Sequence, residues 1–409
     1  MSPIAITGIG LISPSGIDKR KFWSNIKAGR SAIETITRFD ASKYSSHVAG
    51  HVHELDAYSS VSSRLLKKID LFSHMALVAS ELALQDAKMD LAKENLERAG
   101  IFMGNAIGGW LYGETELRDM YIEGREGVSP FLASAWFPAA PQGQVSIHYG
   151  MKGYSKTVVA DRASSLMAIA YGARTLNNGK NDFILAGGME APVTPYALLC
   201  CVTSGMLTQK NETPATAYKP YDKNRDGFAI AEGAGIVILE SSERAKQRGA
   251  RVYGSITGFG TTTDGVDRIH PAEDGRQLAR AIEIALHNAD LKPQDIDYIC
   301  LDGAATKISD ISETRAIKQV FNGRALKIPC SAPKSIFGNM LGASGALDVI
   351  ATLLAMEHSL IPPTINLHDP DPECDLDYCA NKAKEKEINR ALVINRGRGG
   401  INCALVLEK

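Results

Sequence analysis

The sequence has little that would suggest a metalloprotein, a membrane protein or a nucleic-acid-binding protein. Its seven cysteines include no C-x-x-C pair, which disfavours a zinc site or a disulfide framework, so we expect reduced and mostly buried thiols. No run of about 18 apolar residues appears, although a membrane-spanning helix needs one. The formal net charge is only −1, so no overall charge attracts nucleic acid or an anionic membrane surface.

Targeting and cofactor signals are also missing. No charged N-terminal region leads into an apolar run with a small-residue cleavage site, so we expect a cytoplasmic protein. Gly108 and Gly109 follow an apolar run but lack the G-x-G-x-x-G spacing of a dinucleotide-binding loop, and no cofactor is predicted. With 409 residues, 44% hydrophobic and 22% charged, the chain can bury one large core or two fused ones.

Residues 157–177 have the pattern of a strand, a sharp polar turn and a helix. Residues 157–159 are β-branched, and after the turn small and apolar residues recur three and four apart. This layout is typical of a nucleophile elbow. A reactive side chain at such a turn lies at a helix N-terminus, where free N–H groups and the helix dipole favour a thiolate or an alkoxide.

Two sequence patterns occur twice. Residues 6–10 (I-T-G-I-G) are similar to residues 256–260 (I-T-G-F-G), and residues 233–240 are similar to residues 400–408. Periodic helical runs alternate with β-branched runs between these segments, which favours an α/β fold with helices covering sheets. We therefore predict two similar βαβ-rich halves that arose by duplication, with chance similarity of strand-like segments as the alternative.

The clearest helical periodicity covers residues 62–88, which we predict to be a single helix. Its apolar positions form a core stripe, while Arg64, Lys67 and Lys68 share the outer face. Three cations on one turn are most often a solvated surface.

Six segments spread along the chain match known motifs. They are residues 161–165 (motif T-A-C-S-S), 183–190 (a strand ending G-G-x-E), 218–228 (R-P-F/W/Y-D-x-x-R-D-G-F), 302–306 with Asp310 and Glu313 (H-G-T-x-T, then D-x-x-E), 334–345 (K-S-x-x-G-H-x-x-G/A-A-A/S-G) and 397–402 (G-F-G-G-x-N). With these motifs the chain resembles the β-ketoacyl synthase (condensing enzyme) family of the thiolase fold over essentially its full length. The resemblance implies a layered α-β-α-β-α core built from two pseudo-symmetric halves, residues 1–250 and 251–409.

The chain departs from this family at the positions around the family's thiol. The resemblance places the catalytic cysteine on Ala163, the two catalytic histidines on Asp302 and Asn339, and the gating phenylalanine on Arg398, whereas Lys334 and Glu313 are retained. Condensation needs a thiolate to carry the acyl chain and two imidazoles that donate hydrogen bonds to the developing enolate. An ionised Asp302 would repel that enolate.

A full-length member without the cysteine resembles a chain length factor, the non-condensing subunit of a type II polyketide synthase. The resemblance implies a heterodimer with an active ketosynthase α subunit, in which the strand at residues 155–159 pairs with its equivalent, and a shared tunnel that sets polyketide or polyene chain length. The implied tunnel or interface candidates are Trp110, Leu111, Phe137, Val158 and Val159. An acyl carrier protein would dock near Arg64, Lys67 and Lys68.

Two other interpretations stay open at this point. The chain could be an acyl-thioester enzyme of altered chemistry, with Asp302 acting as a base. It could also be a binding module that holds a carrier protein without a ketosynthase partner. Many chain length factors carry glutamine at the cysteine position, and because Ala163 lacks that amide we do not assign a priming activity.

Overall fold

The computed structural model describes residues 2–409. Its strands are β1 (Ile4–Ile12), β2 (Ile33–Thr35), β3 (Val48–Gly50), β4 (Ala99–Gly104), β5 (Lys156–Val158), β6 (Phe183–Glu190), β7 (Ile230–Ala231), β8 (Gly233–Ser241), β9 (Gly254–Thr263), β10 (Tyr298–Cys300), β11 (Cys330–Ser331), β12 (Leu360–Ile361), β13 (Lys384–Glu385), β14 (Arg390–Gly397) and β15 (Ile401–Glu408).

The α-helices connect and cover these strands. They are α1 (Lys19–Lys27), α2 (Ser63–Leu66), α3 (Leu71–Asp86), α4 (Trp110–Glu123), α5 (Leu132–Trp136), α6 (Ala140–Tyr149), α7 (Ser164–Asn177), α8 (Pro195–Thr203), α9 (Ser242–Gln247), α10 (Arg276–Asn288), α11 (Lys307–Phe321), α12 (Lys334–Phe337) and α13 (Ser344–His358).

Ten strands form one mixed sheet in the order β11-β10-β14-β15-β9-β1-β8-β6-β4-β5. The two central strands, β1 and β9, pair over only three residues each, Ile4–Ile6 with Gly254–Ile256, so five strands lie on either side of a short junction. Helices α7 and α13 pack between the two sets of strands, whereas α3 covers β1 and β8 from outside and α10 covers β9 and β15. The predicted α-β-α-β-α layering is therefore confirmed, while a duplication with its boundary at residue 250 stays a prediction.

The repeated I-T-G-x-G pattern has a packing role in both places. Gly10 on β1 lies so close to α3 that an added Cβ would be 2.0 Å from the Ala79 carbonyl oxygen. At Gly260 on β9 the corresponding distance, to the Ala281 carbonyl oxygen of α10, is 2.1 Å. Only glycine allows each outer helix to approach its strand this closely.

The prediction of a single helix over residues 62–88 is wrong, because residues 67–70 are not helical and separate α2 from α3. Asp70 adopts an extended conformation and its carboxylate accepts from the Phe72 N–H at 3.0 Å, which makes it the N-cap of α3. Arg64 and Lys67 are exposed, and Lys68 lies over the Phe131 ring at 4.7 Å. The three cations therefore belong to the short α2 and the turn after it.

Strand β5 is the edge strand beside β4, with its other side unpaired in the sheet. It is shorter than the predicted strand at 155–159, since it covers only Lys156–Val158. Within residues 2–409 no helix combines the length and the apolar composition that crossing a bilayer requires.

Candidate functional site

The elbow is formed as the sequence predicts, with Ala163 at the position immediately before α7. Asp161 has a positive φ of 50°, which makes the chain turn sharply between β5 and the helix. The Ser164 hydroxyl donates to the Asp161 carbonyl oxygen at 2.6 Å and so holds this turn. The Ala163 side chain is completely buried, and the helix N-terminus carries no nucleophile at this position.

Asp302 lies in the buried interior, at the position of the family's first histidine. Its Oδ1 accepts from the Arg396 N–H at 3.2 Å, whereas its Oδ2 has no hydrogen-bond partner. The retained Glu313 accepts from the Asp302 and Gly303 N–H groups at 2.8 and 3.1 Å. Burial and the neighbouring Asp302 carboxylate raise the pKa of Glu313. The site therefore concentrates acidic groups where the family has a hydrogen-bond donor.

The side-chain oxygen of Asn339, at the second histidine position, accepts hydrogen bonds only from its own loop. Its Oδ1 accepts from the Leu341 N–H at 3.0 Å and from the Ser344 hydroxyl at 3.2 Å, while Nδ2 has no partner that satisfies hydrogen-bond geometry. The Tyr218 hydroxyl, which donates to the Gly303 carbonyl oxygen at 2.8 Å, lies beside this amide. The Asn339 amide is thus held by its own loop through Oδ1, with Nδ2 on the side of Tyr218.

The retained Lys334 is one half of a buried ion pair. Its ammonium group contacts the Asp348 carboxylate and donates to the Leu301 carbonyl oxygen at 3.3 Å, and Asn395 donates to the same carboxylate at 2.7 Å. Burial disfavours the charged lysine, yet the Asp348 and Asp302 carboxylates outweigh it and the pKa of Lys334 is raised. Motif matching did not single out Asp348, because it lies just beyond the matched segment.

The gate position carries Arg398 in place of the family's aromatic ring, and its backbone makes the main contact there. The Arg398 N–H donates to the Asp161 carboxylate at 2.6 Å, and the Arg398 side chain is exposed. Next to Asp161, the Arg162 guanidinium is buried, donates from Nε to the Arg396 carbonyl oxygen at 3.0 Å and leaves Nη1 without a partner. The turn between strand and helix is therefore tied to the C-terminal loop by charged groups.

A cavity of about 260 Å³ opens beside the elbow. Its wall consists of Ala106, Ile107, Trp110, Asp161, Arg162, Ala197, Cys200, Cys201, Ser204, Met206, Phe228, Leu341 and Arg398. Ala163, Asp302, Asn339 and Lys334 do not line it. The structure thus separates the cavity from the positions that carry the family's chemistry.

The tunnel and interface candidates divide into different environments. Trp110 lines the cavity and packs against Trp136 and Tyr196 at centroid distances of 5.9 and 4.6 Å. Leu111, Phe137, Val158 and Val159 do not line it; Phe137 and Val159 are 56% and 57% exposed, and Val158 packs on the central core. Only Trp110 of the five lies at this cavity.

Two cysteines, Cys200 and Cys201, belong to the cavity wall, which the sequence did not predict. We expected mostly buried thiols, but Cys200 on α8 is exposed, and both Cys200 and Cys201 line the cavity. Burial raises the pKa of Cys201 to about 12, so this thiol is not a nucleophile near neutral pH. The expectation is therefore wrong for Cys200 alone; the other six cysteines are buried.

Two family models match the chain, one in each half. The family model described as "Beta-ketoacyl synthase, N-terminal domain" matches residues 1–245, and "Beta-ketoacyl synthase, C-terminal domain" matches residues 253–368. The chain belongs to the β-ketoacyl synthase family.

Relatives within this β-ketoacyl synthase family include enzymes named 3-oxoacyl-(acyl-carrier-protein) synthase 2. The protein of that name from Synechocystis is 37% identical over 406 residues, covering 99% of this chain and 98% of the relative. One from Staphylococcus aureus is 36% identical with the same coverage.

Solved structures of the family superpose along the whole chain. One is a type II polyketide acyl carrier protein in complex with its ketosynthase bound to a hexaketide (TM-score 0.92, 31% identity, 100% of this chain and 99% of that chain). Another is the ishigamide ketosynthase/chain length factor (TM-score 0.92, 30% identity, the same coverage). The fold of ketosynthase domains is thereby established for this protein.

Proposed function

We infer that this chain is a non-condensing chain length factor that pairs with an active ketosynthase α subunit in type II polyketide biosynthesis. The observation that carries this proposal is the buried methyl group of Ala163 at the N-terminus of α7. Decarboxylative condensation proceeds through an acyl group bonded to a nucleophile, and a methyl group forms no such bond. On its own the chain would then not be an enzyme, but one subunit of an acyltransferase complex.

The surroundings of Ala163 support a loss of chemistry. Asp302 presents a carboxylate oxygen without a partner where an enolate would develop, and that placement disfavours negative charge. The Asn339 oxygen is engaged by its own loop, and the cavity stops short of both residues. Restoring one group would therefore leave the others misplaced.

A free edge and an apolar surface support a partner subunit. Strand β5 has one unpaired side, and an unpaired edge is a template for pairing with another strand. Large apolar side chains exposed on β5's flank and on α4–α6 include Tyr121, Ile122, Phe137, Ile147 and Val159. Obligate partners bury on the order of 2,000 Å² or more, and exposed apolar patches commonly mark such contacts.

Reconstitution with a ketosynthase α that has its Cys-His-His set tests this proposal. We expect co-expression to give a stable heterodimer that extends a carrier-bound starter with malonyl carrier protein, while either subunit alone releases no elongated product. The matched control is the ketosynthase with its cysteine changed to alanine, which should silence the complex. Condensation by this chain alone, or a chain that ignores the ketosynthase, would contradict the proposal.

The carrier-docking part of the proposal depends on Arg64 and Lys67, which are exposed and cationic. An acidic carrier protein would contact such a patch, and a solved relative of this chain is described in complex with its acyl carrier protein. Arg64→Glu with Lys67→Glu should lower the carrier's affinity for the complex, more at low salt than at high salt. Unchanged affinity at low salt would remove this surface from the proposal.

A second candidate is an acyl-thioester enzyme in which Asp302 acts as a base. The observation that favours it is the unpaired Asp302 Oδ2, a buried acceptor with nothing to accept from. Relatives named as synthases, at 37% and 36% identity, also support a catalytic role. Carbon dioxide release from malonyl carrier protein by the pure chain, abolished by Asp302→Asn, would favour this candidate over the chain length factor.

A further inference from the structure

The cavity beside the elbow combines an apolar interior with two arginines. Arg162 is 3% exposed and lines the cavity, and Nη1 of its guanidinium has no hydrogen-bond partner in the protein. Arg398 lines the same cavity from its rim with an exposed side chain. Buried arginine donors are costly unless they are satisfied, so an unpaired one at a cavity wall indicates a missing acceptor.

The charge balance of the wall favours an anion. Asp161 is the one acidic residue among those lining the cavity; its Oδ2 lies 3.8 Å from Arg162 Nε and accepts from the Arg398 N–H. One carboxylate against two guanidinium groups leaves a net positive charge. Behind the wall, Glu190 accepts from the Ala106 and Ile107 N–H groups, and burial raises its pKa to about 8, which weakens its negative charge near neutral pH.

The remaining wall favours a compact apolar body. Trp110, Phe228, Met206 and Leu341 contribute aromatic rings and aliphatic surface, and the Arg162 guanidinium lies 5.5 Å from the centre of the Phe228 ring. The cavity measures about 260 Å³. That exceeds the ~150 Å³ cavity known to hold benzene but is below the usual range for drug-sized ligands.

We propose that this cavity binds a small monocarboxylate with an aromatic or short aliphatic body, with Arg162 and Arg398 recognising its carboxylate. A guanidinium matches a carboxylate with two parallel N–H bonds, which an ammonium group cannot provide. The matched family motifs have alanine at the position of Arg162 and phenylalanine at that of Arg398, so this recognition belongs to the present chain. It would hold whether or not the chain pairs with a ketosynthase.

Titration calorimetry with the full chain and benzoate tests the proposal, with benzamide as the neutral isostere. We expect benzoate to bind roughly 10-fold or more tightly than benzamide, because charge-assisted hydrogen bonds are lost with the amide. Arg162→Met and Arg398→Met should each weaken benzoate binding, and Arg162→Lys should keep it only in part. Arg125→Met, which changes an exposed arginine outside the cavity, should leave it unchanged. Equal binding of benzoate and benzamide, or unchanged benzoate affinity in Arg398→Met, would overturn the proposal.

Cys200 provides a second readout that does not depend on binding heats. It is exposed and lines the cavity, whereas the other six cysteines are buried. Benzoate should slow iodoacetamide alkylation of Cys200, followed by mass spectrometry, and benzamide at the same concentration should protect much less. Arg162→Met also removes the contact to the Arg396 carbonyl oxygen and could fail to fold for that reason. In that case Arg398→Met is the deciding variant, because it keeps the backbone N–H that donates to Asp161. Alkylation that benzoate does not slow would count against the cavity as the binding site.

Discussion

The backbone N–H of Arg398 donates to the Asp161 carboxylate across 2.6 Å, although the two residues are 237 positions apart. This bond joins the C-terminal loop to the elbow. A backbone N–H beside an acyl site is a natural donor to a developing oxyanion, but here it is already committed to a carboxylate. Together with Ala163, this contact supports the proposal that the chain does not itself carry out condensation.

Replacing Ala163 with cysteine should not create a condensing enzyme. The side chain at this position is fully buried and does not line the cavity, so the new thiol would lie away from the cavity, with Asp302 in place of the family's histidine. Burial raises a thiol's pKa and lowers its reactivity. Intact-mass spectrometry after incubation with an acyl carrier substrate should show no acylated Ala163→Cys protein. A covalent acyl group mapped to that position would contradict the prediction.

Asp161 should stabilise the fold both by its bond to Arg398 and by tolerating a positive φ of 50°. Asp161→Ala loses both contributions, whereas Asp161→Gly loses only the bond, since glycine adopts positive φ freely. Alanine should therefore cost about 1–2 kcal/mol more than glycine. Urea unfolding of the two variants measures the difference. Equal unfolding free energies would show that the backbone conformation is not strained there.

The buried Lys334–Asp348 pair should be costly to break from one side. Lys334→Met leaves a buried carboxylate without its cation, and we expect a loss of about 3–5 kcal/mol in unfolding free energy. Adding Asp348→Leu should recover much of that loss, because no uncompensated charge remains. The matched control is Lys93→Met, which breaks an exposed pair with Asp90 and should change stability by less than ~0.5 kcal/mol. A double variant no more stable than Lys334→Met would refute this account.

Asp70 should make stability fall as the pH rises. Burial is the main cause that raises its pKa from 3.8 to about 6, against hydrogen bonds from Phe72 and Tyr112. The folded state thus holds this proton more tightly than the unfolded state, so the contribution is fully present below about pH 4 and is lost as the pH passes through about 6. Asp70→Asn keeps an N-cap but does not titrate. It should therefore reduce the fall in unfolding free energy between pH 4 and pH 8, by roughly 3 kcal/mol at most.

Unfolding free energies from pH 4 to pH 8 measure the effect of Asp70. Asp90→Asn is the contrast, because hydrogen bonds and the Lys93 cation lower the pKa of the exposed Asp90. Its contribution has the opposite sign, since it is lost as the pH falls. A slope in Asp70→Asn identical to that of the unchanged chain would mean that another buried carboxyl is responsible.

The free edge of β5 should be required for association. Val159 follows this strand and is 57% exposed, so Val159→Asp places a charge at the expected interface with little effect on the monomer. Sedimentation should show a weakened dimer with a ketosynthase, while thermal unfolding of the isolated chain changes little. Leu326→Asp is the control and should leave association unchanged, because Leu326 is 52% exposed and lies just before β11, at the opposite end of the ten-stranded sheet from β5. A full-strength dimer in Val159→Asp would move the interface elsewhere.

Local sequence patterns predicted the strands well. The predicted strand at 183–190 matches β6 residue for residue, and the repeated I-T-G-x-G segments proved to be β1 and β9. Periodicity gave a wrong prediction over residues 62–88. The apolar spacing continues there although the helix is interrupted, and the Asp70 carboxylate caps the start of α3. A capping residue inside an apolar periodic run is hidden, because periodicity records only which positions are buried.

The candidate site was predictable only where a motif carried it. Ala163, Asp302, Asn339 and Lys334 were identified from aligned motifs, and Arg398 from the terminal loop. Asp348 and Arg162 were not, because their importance comes from a buried partner or from the absence of one. The exposure of Cys200 on an apolar helix was also missed, since the apolar run does not reveal that one face of α8 borders a cavity.

The sequence by itself determined that residue 163 of the elbow is not a nucleophile, because a side chain's chemical groups do not depend on where the chain places them. Tertiary structure alone decided that Arg398 is bonded to Asp161, that Asp302 keeps an unpaired oxygen, and that the cavity ends before it reaches Ala163. Each of these depends on groups brought together from distant parts of the chain, and packing, not local pattern, sets those distances.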